Sequence, residues 1–113
     1  MEAAKPVTPA EQRLGFATAI HVNPVTDTVA TTPTEILRNN PERLFWMIVN
    51  LSLNKGYIGW DSQVSATRGI PIGPSGGFLS ATVEEDGELV IQPVYAVNEN
   101  AEGTYYIVEV VRR

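Results

Sequence analysis

Short extended runs, some apolar at every second position and one apolar on both sides, follow one another along this chain between turn signals. The longest run, Arg43–Leu51 (RLFWMIVNL), places Leu44, Trp46, Ile48 and Asn50 on one side and Phe45, Met47, Val49 and Leu51 on the other. Both sides are largely apolar, the pattern of a central strand covered on both faces. A tight turn at Asn54-Lys55-Gly56 leads into Tyr57–Trp60, which reads as the second arm of a β-hairpin with that strand. Further extended segments are Phe16–Val22, stopped by Asn23-Pro24, and Thr26–Thr34. Thr34–Arg38, Gly69–Gly73, Phe78–Val83, Leu89–Ile91 with Pro93–Val97, and Thr104–Val111 follow. Pro74–Gly77, Glu84–Glu88 and Asn98–Gly103 read as turns or loops, and Asp61–Arg68 as a polar loop. The rhythm predicts an all-β chain, an antiparallel β-sandwich or small barrel of about seven or eight short strands. Its core is expected to hold Leu44, Trp46, Ile48, Ile58, Val94 and Ile107.

The first segment differs in kind. Residues 1–15 are rich in Ala, Pro, Thr and charged residues, with only Val7 and Leu14 as larger aliphatics. Thr8-Pro9-Ala10-Glu11 fits a capping box with Pro at the first helical position, so one helical turn or a free arm both suit it. The expected organisation is an extended N-terminal arm, residues 1–15, and one β-domain, residues 16–113.

Composition narrows the function classes. At 113 residues the chain has room for one core but not for a cleft between two lobes. Nine Gly and eight Pro leave little space for helices of ordinary length. A formal charge of −5 argues against a nucleic-acid surface, which needs a basic stripe. There is no Cys, hence no disulfide framework and no thiolate metal site. No apolar run approaches the ~18 residues of a membrane span, and Met1–Arg13 lacks the apolar stretch of a signal peptide. Assembly in the cytoplasm is the expectation, with no membrane and no nucleic acid among the partners.

Candidate chemistry is sparse. His21 is the only histidine and has no nucleophile motif beside it. The acidic run Glu84, Glu85, Asp86 and Glu88 lacks the alternating ligands of a calcium loop and suits a solvated hairpin tip. Gly73-Pro74-Ser75-Gly76-Gly77 lacks the Lys-Ser/Thr ending of a phosphate loop. Trp46, Trp60, Tyr57, Phe45 and Phe78 could line a carbohydrate platform, although strand aromatics usually fill cores. Arg43 and Arg68 flank the hairpin and are candidates for anchoring a partner's carboxylates, and Arg13 and Leu14 are candidate partner contacts made by the arm. No catalytic residue, cofactor or metal site is expected.

The segments Arg43–Ser52 (RLFWMIVNLS), Tyr57–Gly59 (YIG), Val64–Ile72 (VSATRGIPI) and Pro93–Val97 (PVYAV) together resemble small β-rich virion proteins of tailed bacteriophages. The likeness covers roughly Thr32 to Val111 and leaves out the N-terminal residues. It implies a structural protein of a virus particle, without catalytic residues to carry over. A capsid decoration or cement protein is the expected role, with the major capsid protein or other virion proteins, and further copies of the chain, as partners. A head-fibre, neck or tail component, and a carbohydrate- or receptor-binding β-module, are the alternatives.

Overall fold

The alternating runs form nine strands in the computed structural model, which describes residues 17–113. They are β1 (Thr18–Val22), β2 (Thr28–Val29), β3 (Thr34–Leu37), β4 (Arg43–Asn50), β5 (Gly56–Gly59), β6 (Ile70–Ile72), β7 (Gly77–Thr82), β8 (Val94–Asn98) and β9 (Gly103–Arg112). A helical turn, α1 (Val83–Asp86), and a 3₁₀ turn (Gly87–Ile91) join β7 to β8. The larger sheet runs β1-β9-β4-β7, with β2 also paired to β9, and the smaller runs β3-β8-β5-β6. Every pairing is antiparallel.

The fold is the all-β sandwich that the alternation predicts. Ile48, Trp46, Ala81, Tyr105, Ile107 and Val29 from one sheet meet Ile36, Leu37, Ile58, Ile72, Val94 and Ala96 from the other. Val90 of the 3₁₀ turn completes the core. Central β4 sits between β9 and β7, so its inward residues are enclosed by neighbours on both sides as well as by the opposite sheet.

Two local irregularities set which residues face inward. In β4 the register slips between Arg43 and Phe45, so Arg43 rather than Leu44 turns into the interior. Leu44, expected in the core, is half-exposed for that reason. In β3 a second slip between Glu35 and Leu37 lets consecutive residues Ile36 and Leu37 both be buried.

The expected hairpin between β4 and β5 does not form. β5 pairs with β6 and β8 in the other sheet, and β4 pairs with β7 and β9. The turn at Asn54-Lys55-Gly56 carries the chain from one sheet to the other. Leu89–Ile91 is a 3₁₀ turn and not a strand, with Pro93 just before β8. The proposed arm, with Arg13 and Leu14, lies outside the described residues.

Candidate functional site

Polar side chains cluster at two places inside the sandwich, and both clusters hold the fold together. At one end the β4 bulge buries Arg43 to 2% exposure. Its Nε donates to Glu109 Oε1 at 2.7 Å, its Nη1 to the Val90 carbonyl at 3.0 Å and the Gln92 carbonyl at 3.3 Å, and its Nη2 to the Arg38 carbonyl. One guanidinium therefore ties β4, β9, the end of β3 and the 3₁₀ turn together. Arg43, expected to anchor a partner's carboxylates, is instead buried and bonds to Glu109 and to three backbone carbonyls of its own chain.

The second oxygen of Glu109 accepts from His21 Nδ1 at 2.8 Å, with His21 half-exposed on edge strand β1. A carboxylate that only accepts makes Nδ1 the protonated nitrogen of the ring. The cleft beside them, about 320 Å³, is lined by His21, Pro24, Val25, Arg38, Asn39, Asn40, Arg43 and Glu109. Among these described residues none offers a hydroxyl or thiol nucleophile for a His–Glu pair to activate.

At the opposite end, the Asn50-x-Ser52-x-Asn54 segment bends the chain between sheets. Asn50 Nδ2 donates to the Asn54 carbonyl at 2.8 Å, while Asn50 Oδ1 accepts from the Ser52 amide at 2.9 Å. The Tyr105 hydroxyl donates to Asn98 Oδ1 at 2.8 Å, and Asn98 Nδ2 donates to the Ala101 carbonyl at 2.9 Å. Burial pushes the Tyr105 phenol up. Gly56 is required here: a Cβ at that position would overlap the Tyr105 hydroxyl. These hydrogen-bonded buried groups make an inter-sheet arch in place of the expected hairpin.

The remaining sequence candidates separate. Glu84, Glu85 and Asp86 lie in helical turn α1 rather than at a hairpin tip. Thr82 Oγ1 accepts from the Glu85 amide at 3.2 Å and Asp86 Oδ2 from the Thr82 amide at 2.9 Å, so the acidic run caps its own turn. Among the described residues, no group of three His, Cys, Asp or Glu side chains converges to hold a metal ion. Arg68 is exposed on the β5–β6 loop and pairs with Asp61 at 3.3 Å. The Gln63 amide, and to a lesser extent Arg68, hold the Asp61 carboxyl below its usual range despite some desolvation. The five aromatics do not make a platform. Trp46 points into the core with Trp60 packed near it at 6.4 Å between ring centroids, Tyr57 is buried, and Phe45 and Phe78 belong to a different face.

That face is the outer side of the larger sheet. Its first row, across β1, β9, β4 and β7, is Ile20, Val110, Phe45 and Thr82. The second row is Val22, Val108, Met47 and Ser80. The third is Tyr106, Val49 and Phe78. No charged side chain stands in these rows. Ile20 is 68% exposed, Phe78 67%, Val22 52% and Tyr106 42%. The second sheet covers only the inner side, so the two-sided apolar character of β4 marks an open surface rather than a doubly covered strand. Neither Arg43 nor Arg68 lies on it, and the pattern of β4 was the sequence signal that pointed to it.

Comparisons with protein-family models, with curated proteins and with solved structures found no match for this chain.

Proposed function

We propose that this chain is a non-catalytic structural subunit of a virus particle of the tailed-bacteriophage kind, most simply a capsid decoration protein. The observation that carries the reading is the group of exposed apolar side chains on the outer face of the larger sheet, Ile20, Val22, Phe78 and Tyr106 among them, bordered by Arg112 at the end of β9. A contiguous exposed apolar patch of this kind is often a functional interaction surface. A sandwich whose buried Arg43, Glu109, Asn50 and Asn98 bond within the chain, and which exposes apolar side chains on one sheet face, suits a subunit that is completed by assembly.

The resemblance to phage virion proteins supports the same reading in a specific way. Its segments fall on architectural parts of the fold: the inter-sheet arch at Asn50 and Ser52, the buried strand Tyr57–Gly59, the edge strand Ile70–Ile72 and the strand Val94–Asn98. They contain no reactive centre. A carbohydrate-binding role lacks the aromatic platform it would use.

The test is whether purified particles of the phage that encodes the chain contain it in stoichiometric amount, and whether heads prepared without it take it up saturably. Stoichiometric presence with saturable uptake is the expected result. Absence from the particle, together with no uptake, would overturn the proposal.

A further inference from the structure

We infer that the apolar outer face of the larger sheet is occupied by the same face of a second copy of this chain, giving a two-fold symmetric sheet-on-sheet dimer. The inference rests on the reading of that face as an assembly surface and names its occupant. The three rows between Arg112 and the β4–β5 arch hold no charged side chain, so they suit a partner surface that is equally apolar and equally deep, and this chain carries one.

The registers make the face complementary to itself. Consider a two-fold axis lying between the copies, parallel to β4. It sets the β1 column of one copy over the β7 column of the other, and the β9 column over the β4 column. In the first row Ile20 then faces Thr82 of the second copy, and Val110 faces Phe45. In the second row Val22 faces Ser80. In the third row Tyr106 faces Val49. Each larger side chain meets a smaller one. Phe78, the most exposed aromatic ring of the face, meets the one position without a strand residue: β1 ends at Val22, and Asn23, at a φ of 49°, turns the chain off the ladder. The isologous arrangement closes on itself, so it yields a dimer and not a fibre. Aligned sheets pack about 10 Å apart with a tilt of about 30°, which leaves these row pairings as nearest neighbours at the centre of the contact.

The size is adequate without being generous. Four strands about 4.8 Å apart and some six residues deep give roughly 400 Å² in projection. Two such faces would bury on the order of 1,000 Å² of accessible surface, the lower bound for a specific interface. The dimer should therefore dissociate on dilution through the micromolar range. On a particle, paired copies would gain from repeated attachment.

Sedimentation equilibrium of the whole chain, from about micromolar to millimolar, tests this. A monomer–dimer equilibrium is expected. Phe78→Glu and Tyr106→Ser, each at an exposed position on the face, should raise the dissociation constant at least tenfold while leaving the far-ultraviolet circular dichroism unchanged. Leu89→Glu, at an exposed apolar residue off the face, should leave the constant unchanged. If Phe78→Glu disturbs folding, Phe78→Ser carries the same expectation. A monomer at millimolar concentration, or a dimer indifferent to all the face variants, would overturn the inference. Particle uptake by a chain that stays monomeric would leave the proposed function standing and remove this occupant. A dimer that never enters particles would do the reverse.

Discussion

Arg43 and Glu109 meet inside the sandwich, with Nε and Oε1 2.7 Å apart and both side chains under 5% exposed. The pair exists because β4 slips its register by one residue against β9, so that a residue due to face solvent turns inward. The guanidinium also donates to the carbonyls of Val90 in the 3₁₀ turn, of Gln92 just after it and of Arg38. A buried pair with its hydrogen bonds complete is tolerated; a buried charge that has lost its partner is not. Arg43→Ala and Glu109→Ala should each destabilise the chain by about 3–5 kcal/mol. The double substitution Arg43→Met with Glu109→Leu should recover most of that loss. Urea unfolding of the four proteins checks the cycle. His21→Ala should cost under ~1 kcal/mol, because Glu109 keeps its partner in Arg43 and the histidine is half in water.

Tyr105 gives a pH dependence with a fixed sign. Burial holds its phenol above the ordinary value near 10. The unfolded chain therefore releases this proton first as pH rises. The stabilisation is complete below about pH 10 and is lost above it, by at most about 1.4 kcal/mol per pH unit per phenol. Tyr57 shifts in the same direction, through desolvation first and then the neighbouring Glu99, and adds to the fall. Tyr105→Phe should be about 1 kcal/mol less stable at neutral pH, through loss of the bond to Asn98, and should decline less steeply in alkali. Urea midpoints between pH 7 and 11.5 measure both effects.

Gly56→Ala should destabilise by about 1–3 kcal/mol, because the new methyl overlaps the Tyr105 hydroxyl. Removing that hydroxyl takes away the overlap. The double variant Gly56→Ala with Tyr105→Phe should therefore lose clearly less than the sum of the single changes. Thermal melting of the two single variants and the double gives the coupling.

The two sides of β4 should respond differently to truncation. Ile48 is fully buried between the sheets, and Ile48→Ala should cost about 2–5 kcal/mol. Phe78, paired with the other side of the same strand, is mostly in solvent, and Phe78→Ala should change stability by less than ~0.5 kcal/mol in dilute solution. Chemical denaturation at low protein concentration separates the two cases.

The strands were legible because alternation reports burial directly. Trp46 and Ile48 against Phe45 and Met47 placed β4, and Thr104–Val111 placed β9. What alternation does not carry is the pairing partner. Asn54-Lys55-Gly56 looks like a hairpin turn, but the side chains of Asn50 and Ser52 bond back onto the arch and send β5 to the opposite sheet. Leu44 and Arg43 exchanged places because a one-residue bulge reverses the face of the residue before it, and no residue type there announces a bulge. The acidic run read as a tip because Asp-Gly favours turns, whereas Thr82 and Asp86 cap a helical turn. The open face was visible in the apolar second side of β4. Sequence pattern alone could not say whether the cover came from this chain or from another.

A chain that works by assembly through the outer face of its larger sheet should bury that face in the assembled state. Oxidative footprinting reads it most directly, because Met47, Phe78 and Tyr106 are reactive side chains standing on that face. Labelling of the free chain at low concentration should be compared with labelling of the chain within purified particles, with Trp60 as the reference. The account predicts that Phe78, Tyr106 and Met47 lose most of their labelling in the particle while Trp60 changes little. Equal labelling of Phe78 and Tyr106 in the two states would contradict it.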